Sequence, residues 1–172
     1  MHTLTYNRGS MDDANGVQPV DDYCAPFVCL SGATIRHLRV TGAVYSSHMH
    51  AAGIASLIDG SQATTISNCH VSSTLFAAKN LSEDASFGGL VGEVLSTCKA
   101  SPVVTGSSFT GRLDGWCTSS GGLVAFTSSQ GITFEHNLFD PQAITYIQGT
   151  PATFVRMAPG VKSTFKECYY TQ

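Results

Sequence analysis

Charge is what this sequence has least of. Of its 172 residues, 9 are Lys or Arg and 12 are Asp or Glu, giving a net charge of −3. Charged residues make up 12% of the chain, about half the roughly 25% of an average soluble domain. The few basic side chains are scattered rather than striped, which excludes nucleic acid as a partner, because phosphate binding needs concentrated positive charge. No window holds the roughly 18 apolar residues of a membrane span, so no membrane insertion is expected. The chain does not open on a basic, apolar and small-residue leader, and it reads as a segment of a larger exported protein, extracellular or at the cell surface. Metal-ligand spacing is also missing. The six cysteines, Cys24, Cys29, Cys69, Cys98, Cys117 and Cys168, contain no C-x2-C, and the six histidines contain no H-x3-5-H pair. No metal or cofactor is expected, and the thiols read as mostly free and buried.

What is present is glycine, 17 residues, together with abundant Ser and Thr. That composition suits turns and strands better than helices. The chain also repeats. Five segments align without gaps: "TIRHLRVTGAV" from Thr34, "TISNCHVSSTL" from Thr65, "VVTGSSFTGRL" from Val103, "TFEHNLFDPQA" from Thr133 and "TFKECYYTQ" from Thr164. Their second residues, Ile35, Ile66, Val104, Phe134 and Phe165, are spaced by 31, 38, 30 and 31 residues. Apolar positions alternate within each copy. In the first, Leu38, Val40 and Val44 face inward and Arg39, Thr41 and Ala43 outward; in the second, Cys69, Val71 and Leu75 face inward and His70, Ser72 and Thr74 outward. Period two is the strand signature. A unit of about 31 residues is too short to fold alone, and stacked copies would share one core, as in a solenoid whose rungs lie about 4.8 Å apart. The long step contains extra sequence, Ala77 to Ser86 and Val94 to Pro102, expected to project as loops.

A second motif alternates with the first. "FGGLVGE", Phe87 to Glu93, could cradle a phosphate or form the corner of a repeat. A phosphate loop occurs once and opens a helix. This motif has counterparts at Ala25, Ala52, Gly121 and Ala152, and no helical pattern follows any of them. Its glycines therefore read as small residues at a tight turn, with Leu90 joining Phe27, Ile54, Leu123 and Phe154 in a core column.

At "TIRHLRVTGAV", "TISNCHVSSTL", "GGLVG" and "GGLVA" the chain resembles the GLUG-motif repeats of bacterial surface and secreted proteins. "HTLTYN" is similar to the entry strand of such arrays, and "TFKECYYTQ" to their close. Only the copies at Gly88 and Gly121 keep both leading glycines, and Asp140–Pro141 departs from the pattern. The resemblance implies a single all-β domain over residues 1–172, a right-handed parallel β-helix of four to five rungs. Residues 1–24 would form the entry strand and loop, and residues 25–172 the repeats. It implies a non-catalytic, adhesin-like module that binds glycan or a host or bacterial surface protein, or that spaces flanking domains.

Other functions weigh less. A polysaccharide lyase or glycosidase needs paired carboxylates about 5–10 Å apart, or a base beside its substrate's carboxylate. The matching columns read Arg36, Ser67, Thr105, Glu135, Lys166 and His37, Asn68, Gly106, His136, Glu167, where Glu135/Lys166 and His136/Glu167 suit ordinary polar pairing between neighbouring strands. No catalytic residue is assigned. His48 and His50 of "HMH" read as a polar loop rather than a metal site. A column of Thr41, Ser72, Thr110, Asp140 and Thr171 has a bulky, mixed partner column, unlike an ice-binding ladder. The candidate binding residues are Trp116, Asp114 and Arg112: an indole can stack on a sugar ring while its neighbours hydrogen-bond, although Trp116 could equally fold back as a lid. Tyr45 and Phe76, at matching positions, read as a packed turn. Cys69 and Cys168 share a column three repeats apart, on the order of 14 Å, beyond the roughly 7 Å that a disulfide spans. Cys24–Cys29 and Cys98–Cys117 pairings stay open.

Overall fold

A computed structural model of the chain describes residues 1–9, 11–12, 16–17, 23–46, 50–77, 86–115, 119–145 and 152–171. These residues are all β, without a helix, and form five sheets of parallel strands. Sheet I has six strands: His2–Thr5, Leu38–Thr41, His70–Val71, Ser108–Phe109, Leu138–Phe139 and Tyr169–Tyr170. Sheet II has four: Ala43–Ser46, Thr74–Ala77, Arg112–Gly115 and Ala143–Thr145. Sheet III comprises Tyr23–Cys24, His50–Ala52, Ser86–Gly88 and Ser119–Gly121, with Ala152 bridging to Gly121. Sheet IV comprises Phe27–Ser31, Ala55–Asp59, Val91–Val94, Val124–Thr127 and Val155–Met157. Sheet V comprises Thr34–Arg36, Thr65–Ser67, Val103–Thr105, Thr133–Glu135 and Thr164–Lys166. A separate antiparallel pair joins Met11–Asp12 to Gly16–Val17. From Leu38 onward the chain visits sheets I to V in order and returns to sheet I one strand further along, with only the Ala152 bridge standing for sheet III in the last pass.

The register is the one the repeats predict. Ile35, Ile66, Val104, Phe134 and Phe165 are partners across sheet V, and Phe134 stacks on Phe165 with centroids 5.2 Å apart. Alternation holds in sheets I and II, where Val40, Val71, Val44 and Leu75 are buried while Arg39 and Ser72 are exposed. Each fully buried Val, Leu or Phe contributes roughly 1.5–3 kcal/mol by leaving water.

The corner between sheets V and I is built from two adjacent columns. His37, Asn68, His136 and Glu167 have φ of 56°, 50°, 55° and 50°, and Gly106 has 56°. The left-handed conformation costs a non-glycine residue roughly 1–2 kcal/mol, so something must hold it. The following residues supply a buried polar ladder. The Cys69 amide donates to Ser107 Oγ at 3.1 Å, and the Ser107 amide donates to Asn137 Oδ1 at 2.9 Å. Ser107 Oγ donates back to the Thr105 carbonyl at 3.0 Å, and Asn137 Nδ2 to the Val104 carbonyl at 2.8 Å. The turn thus forces amides inward, and side chains of the next pass satisfy them.

The "GGLVG" glycines mark the fold between sheets III and IV. A Cβ on Gly88 would lie 2.0 Å from the Val91 carbonyl oxygen, and one on Gly89 2.3 Å from the Gly122 carbonyl oxygen and 2.6 Å from the Phe109 ring. The chain dives inward, seats Ile54, Leu90 or Leu123 in the core at 0% exposure, and turns back. At Gly89 the missing Cβ allows this close approach, whereas Ala52 stands in register with Gly88 one pass earlier.

Three expectations need correction. Phe27 does not join the Leu90 column. It pairs with Ala55, which pairs with Val91, and is 37% exposed, because Tyr23 to Phe27 spans one residue fewer than the equivalent His50 to Ala55. Pro26 therefore stands where later copies carry Gly53 and Ile54. Second, Val94 to Pro102 does not simply project. Val94 ends a core strand and Cys98 is buried in the cluster, with its amide donating to the Leu95 carbonyl at 3.0 Å. The other expected loop falls on residues 78–85, outside the described residues. Third, His50 lies on a strand, not in a polar loop, and is 6% exposed; His48 is outside the described residues. Cys24, Cys29, Cys69, Cys98 and Cys168 are free thiols, Cys69 and Cys168 stand three passes apart, and Cys117 is outside the described residues.

Candidate functional site

Inward columns are committed to packing, so a partner must be met by the outward ones. From His70 to Phe76 the alternation runs unbroken from sheet I into sheet II: Val71, Ser73 and Leu75 are buried, while His70, Ser72, Thr74 and Phe76 reach solvent. The outward residues of both sheets therefore point to solvent, with the chain bending at Gly42, Gly111 and Gln142 as it passes from sheet I to sheet II.

On sheet I the outward face carries a groove of about 330 Å³ lined by Arg39, His70, Val71, Ser72, Ser108 and Thr110. Register places Arg39, His70 and Ser108 side by side on three neighbouring strands. His70 Nδ1 lies 2.8 Å from Ser108 Oγ, which fixes the ring. Partial burial, and then the Arg39 guanidinium beside it, lower the His70 pKa below its ordinary 6.5; both effects disfavour a second positive charge. The carboxylate on this face of sheet I, Asp140, stands beyond Thr110 and accepts a hydrogen bond from Thr171.

On sheet II the outward positions carry Tyr45 and Phe76, partners in register, with ring centroids 5.8 Å apart and planes tilted by 44°. Asp114 follows Phe76 in that column, and Arg112 follows Thr74 in the adjacent one. Arg112 is exposed and Asp114 half-buried. Two predicted residues, Asp114 and Arg112, thus share one strand and one face. The third, Trp116, lies outside the described residues. The sequence missed the aromatic pair as part of this face; the signal was the matched spacing of Tyr45 and Phe76.

A second polar cluster sits where sheets III and IV fold together. His50 Nδ1 lies 2.6 Å from Ser86 Oγ and 3.8 Å from Glu93 Oε2, and the ring stacks on Tyr23 at 5.7 Å. Serine and carboxylate approach the same ring nitrogen. A nucleophilic relay needs them on opposite nitrogens, so this geometry supports packing rather than catalysis. At the corner, His136 Nε2 and Glu167 Oε2 are 2.8 Å apart, both half exposed, which is the polar pairing expected of neighbouring strands. Among the described residues, no three His, Cys, Asp or Glu side chains group as a metal site, and no helix is long and apolar enough to cross a membrane. No family model matches the chain, and neither a curated protein nor a solved structure is significantly similar to it.

Proposed function

We propose that the chain is a β-solenoid of about five rungs, one for each strand of sheets IV and V. In this reading it serves as a non-catalytic, GLUG-like binding module of a bacterial cell-surface or secreted protein, and its ligand is a glycan laid across the outer faces of sheets I and II. One observation carries this: outward positions on consecutive strands of the same passes supply a polar groove at Arg39, His70 and Ser108 on sheet I and an aromatic pair at Tyr45 and Phe76 on sheet II. Sugar rings offer apolar faces for stacking and hydroxyls for hydrogen bonds, and this face supplies partners for both. Arg112 and Asp114 flank the aromatic pair and suit orienting contacts. A glycan array probed with the chain, followed by calorimetry on the hits, tests the reading. Phe76→Ala should weaken binding about five- to tenfold, equivalent to about 1–1.4 kcal/mol of stacking. Absence of any glycan hit would leave a spacer, and retained affinity in Phe76→Ala would remove the aromatic pair from the site.

A further inference from the structure

Resting on that glycan-binding reading, we infer that the ligand is an acidic glycan whose anionic group docks between Arg39 and His70 in the sheet I groove. The ionisable side chains lining the groove are Arg39 and His70; the rest of the lining is Val71, Ser72, Ser108 and Thr110. No carboxylate lines it, and among the described residues Arg39 has no ion-pair partner. Among the described residues, the groove thus presents positive charge with no carboxylate in its lining. Arg39 is exposed, and its guanidinium offers a planar fork of donors that fits two oxygens at once. His70 is pinned through Nδ1 to Ser108, so Nε2 is the ring nitrogen left to meet a ligand. The hydroxyls of Ser72, Ser108 and Thr110 continue the groove away from the charge, where they match sugar hydroxyls. Burial first, and then the Arg39 guanidinium, lower the His70 pKa, and an anion placed there would act in the opposite direction.

The shared chemistry is an oxyanion on a sugar, either a uronate carboxylate or a sulfate ester, and a titration series separates the two. The chain is titrated with polygalacturonate, with the same polymer after carboxyl reduction, with dextran sulfate and with uncharged dextran. Binding of the wild type to an acidic polymer, at least about tenfold tighter than to its uncharged counterpart, is expected, with Arg39→Gln and His70→Gln each removing most of that margin; one lost charge-assisted contact accounts for a factor of about ten. Preference for polygalacturonate assigns a carboxylate, and preference for dextran sulfate a sulfate. Arg39 faces solvent, so Arg39→Gln should leave the unfolding curve unchanged and any loss of binding can be assigned to the groove. If the uncharged polymers bind as well as the charged ones, or if Arg39→Gln changes nothing, the anionic docking is wrong while the glycan reading stands. If none of the four polymers binds and the array is also blank, both fall.

Discussion

Replacing Asn137 tests whether the buried polar ladder holds the left-handed corner. The side chain is 0% exposed. Its Oδ1 accepts the Ser107 amide at 2.9 Å and its Nδ2 donates to the Val104 carbonyl at 2.8 Å. Asn137→Leu fills much of the same volume but strands an amide and a carbonyl in the core. Each stranded group costs about 1–3 kcal/mol; since a carbonyl has a second lone pair for the sheet, the lower end applies to Val104, for a sum of about 2–4 kcal/mol. Asn137→Ala should cost a similar amount, with a cavity in place of the misplaced methyls. Asn137→Ser should cost about 1 kcal/mol or less, because Ser107 already performs this role one pass earlier, accepting the Cys69 amide at 3.1 Å. Urea unfolding at constant m value reads the series directly as shifts in midpoint. The reasoning fails if Asn137→Leu lies within experimental error of the wild type, or if the serine variant is as damaged as the leucine one.

Two further outcomes follow from the same coordinates. Gly89→Ala sets a methyl 2.3 Å from a backbone carbonyl and 2.6 Å from the Phe109 ring, so it should cost about 3 kcal/mol or more. Gly160→Ala, whose methyl meets nothing within 4 Å at a φ of 85°, should cost only about 1–2 kcal/mol of backbone strain; equal thermal midpoints would show that the glycine motif is not a close-approach device. The His70 pKa is lowered on folding, so the unfolded chain takes up the proton first as pH falls below 6.5. Stability from this site is therefore fully present above pH 6.5 and is lost as pH falls through the depressed value. The charged group facing the ring is Arg39, with Ser108 on the opposite strand contributing no charge. His70→Gln should flatten the stability profile in that window, and an unchanged slope would contradict the assignment.

Much of the fold was legible because inward columns obey simple rules. Ile35, Ile66, Val104, Phe134 and Phe165 align by eye, and the structure pairs them as aligned. What escaped were places where spacing and chemistry diverge. "APFVC" resembles "AGIAS", yet one residue fewer at Pro26 moves Phe27 out of the core column; no period-two rule detects a missing residue at a turn. His50 is outward by alternation and still buried, because sheets III and IV fold against each other, a contact between sheets that strand periodicity does not encode. The column of His37, His136 and Glu167 reads in the sequence as ordinary polar pairing, and only the structure shows the shared positive φ that assigns it to the turn. On the site, Arg112 and Asp114 could be placed together because they share a strand. The Arg39–His70–Ser108 groove needed three strands from different repeats to be set side by side.

That contrast bears on how the outer face should be read. An inward residue is explained once its packing is known: Leu90 or Phe134 could hardly be replaced by a smaller or polar side chain without a cavity or an unmet hydrogen bond. The outward positions of sheets I and II carry no such demand. Column neighbours of Arg39 and His70 include Thr3 and Ser108, and column neighbours of Phe76 include Asp114, so the fold accepts small, polar and charged groups there alike. Nothing in the packing calls for a guanidinium at residue 39 or a tilted aromatic pair at residues 45 and 76. Groups that the fold does not require, set on outward positions of neighbouring strands, with His70 held by a 2.8 Å hydrogen bond to Ser108, are the ones whose presence a ligand would explain. Because they are outward, they can be exchanged without unfolding the chain, and binding and folding can be measured apart.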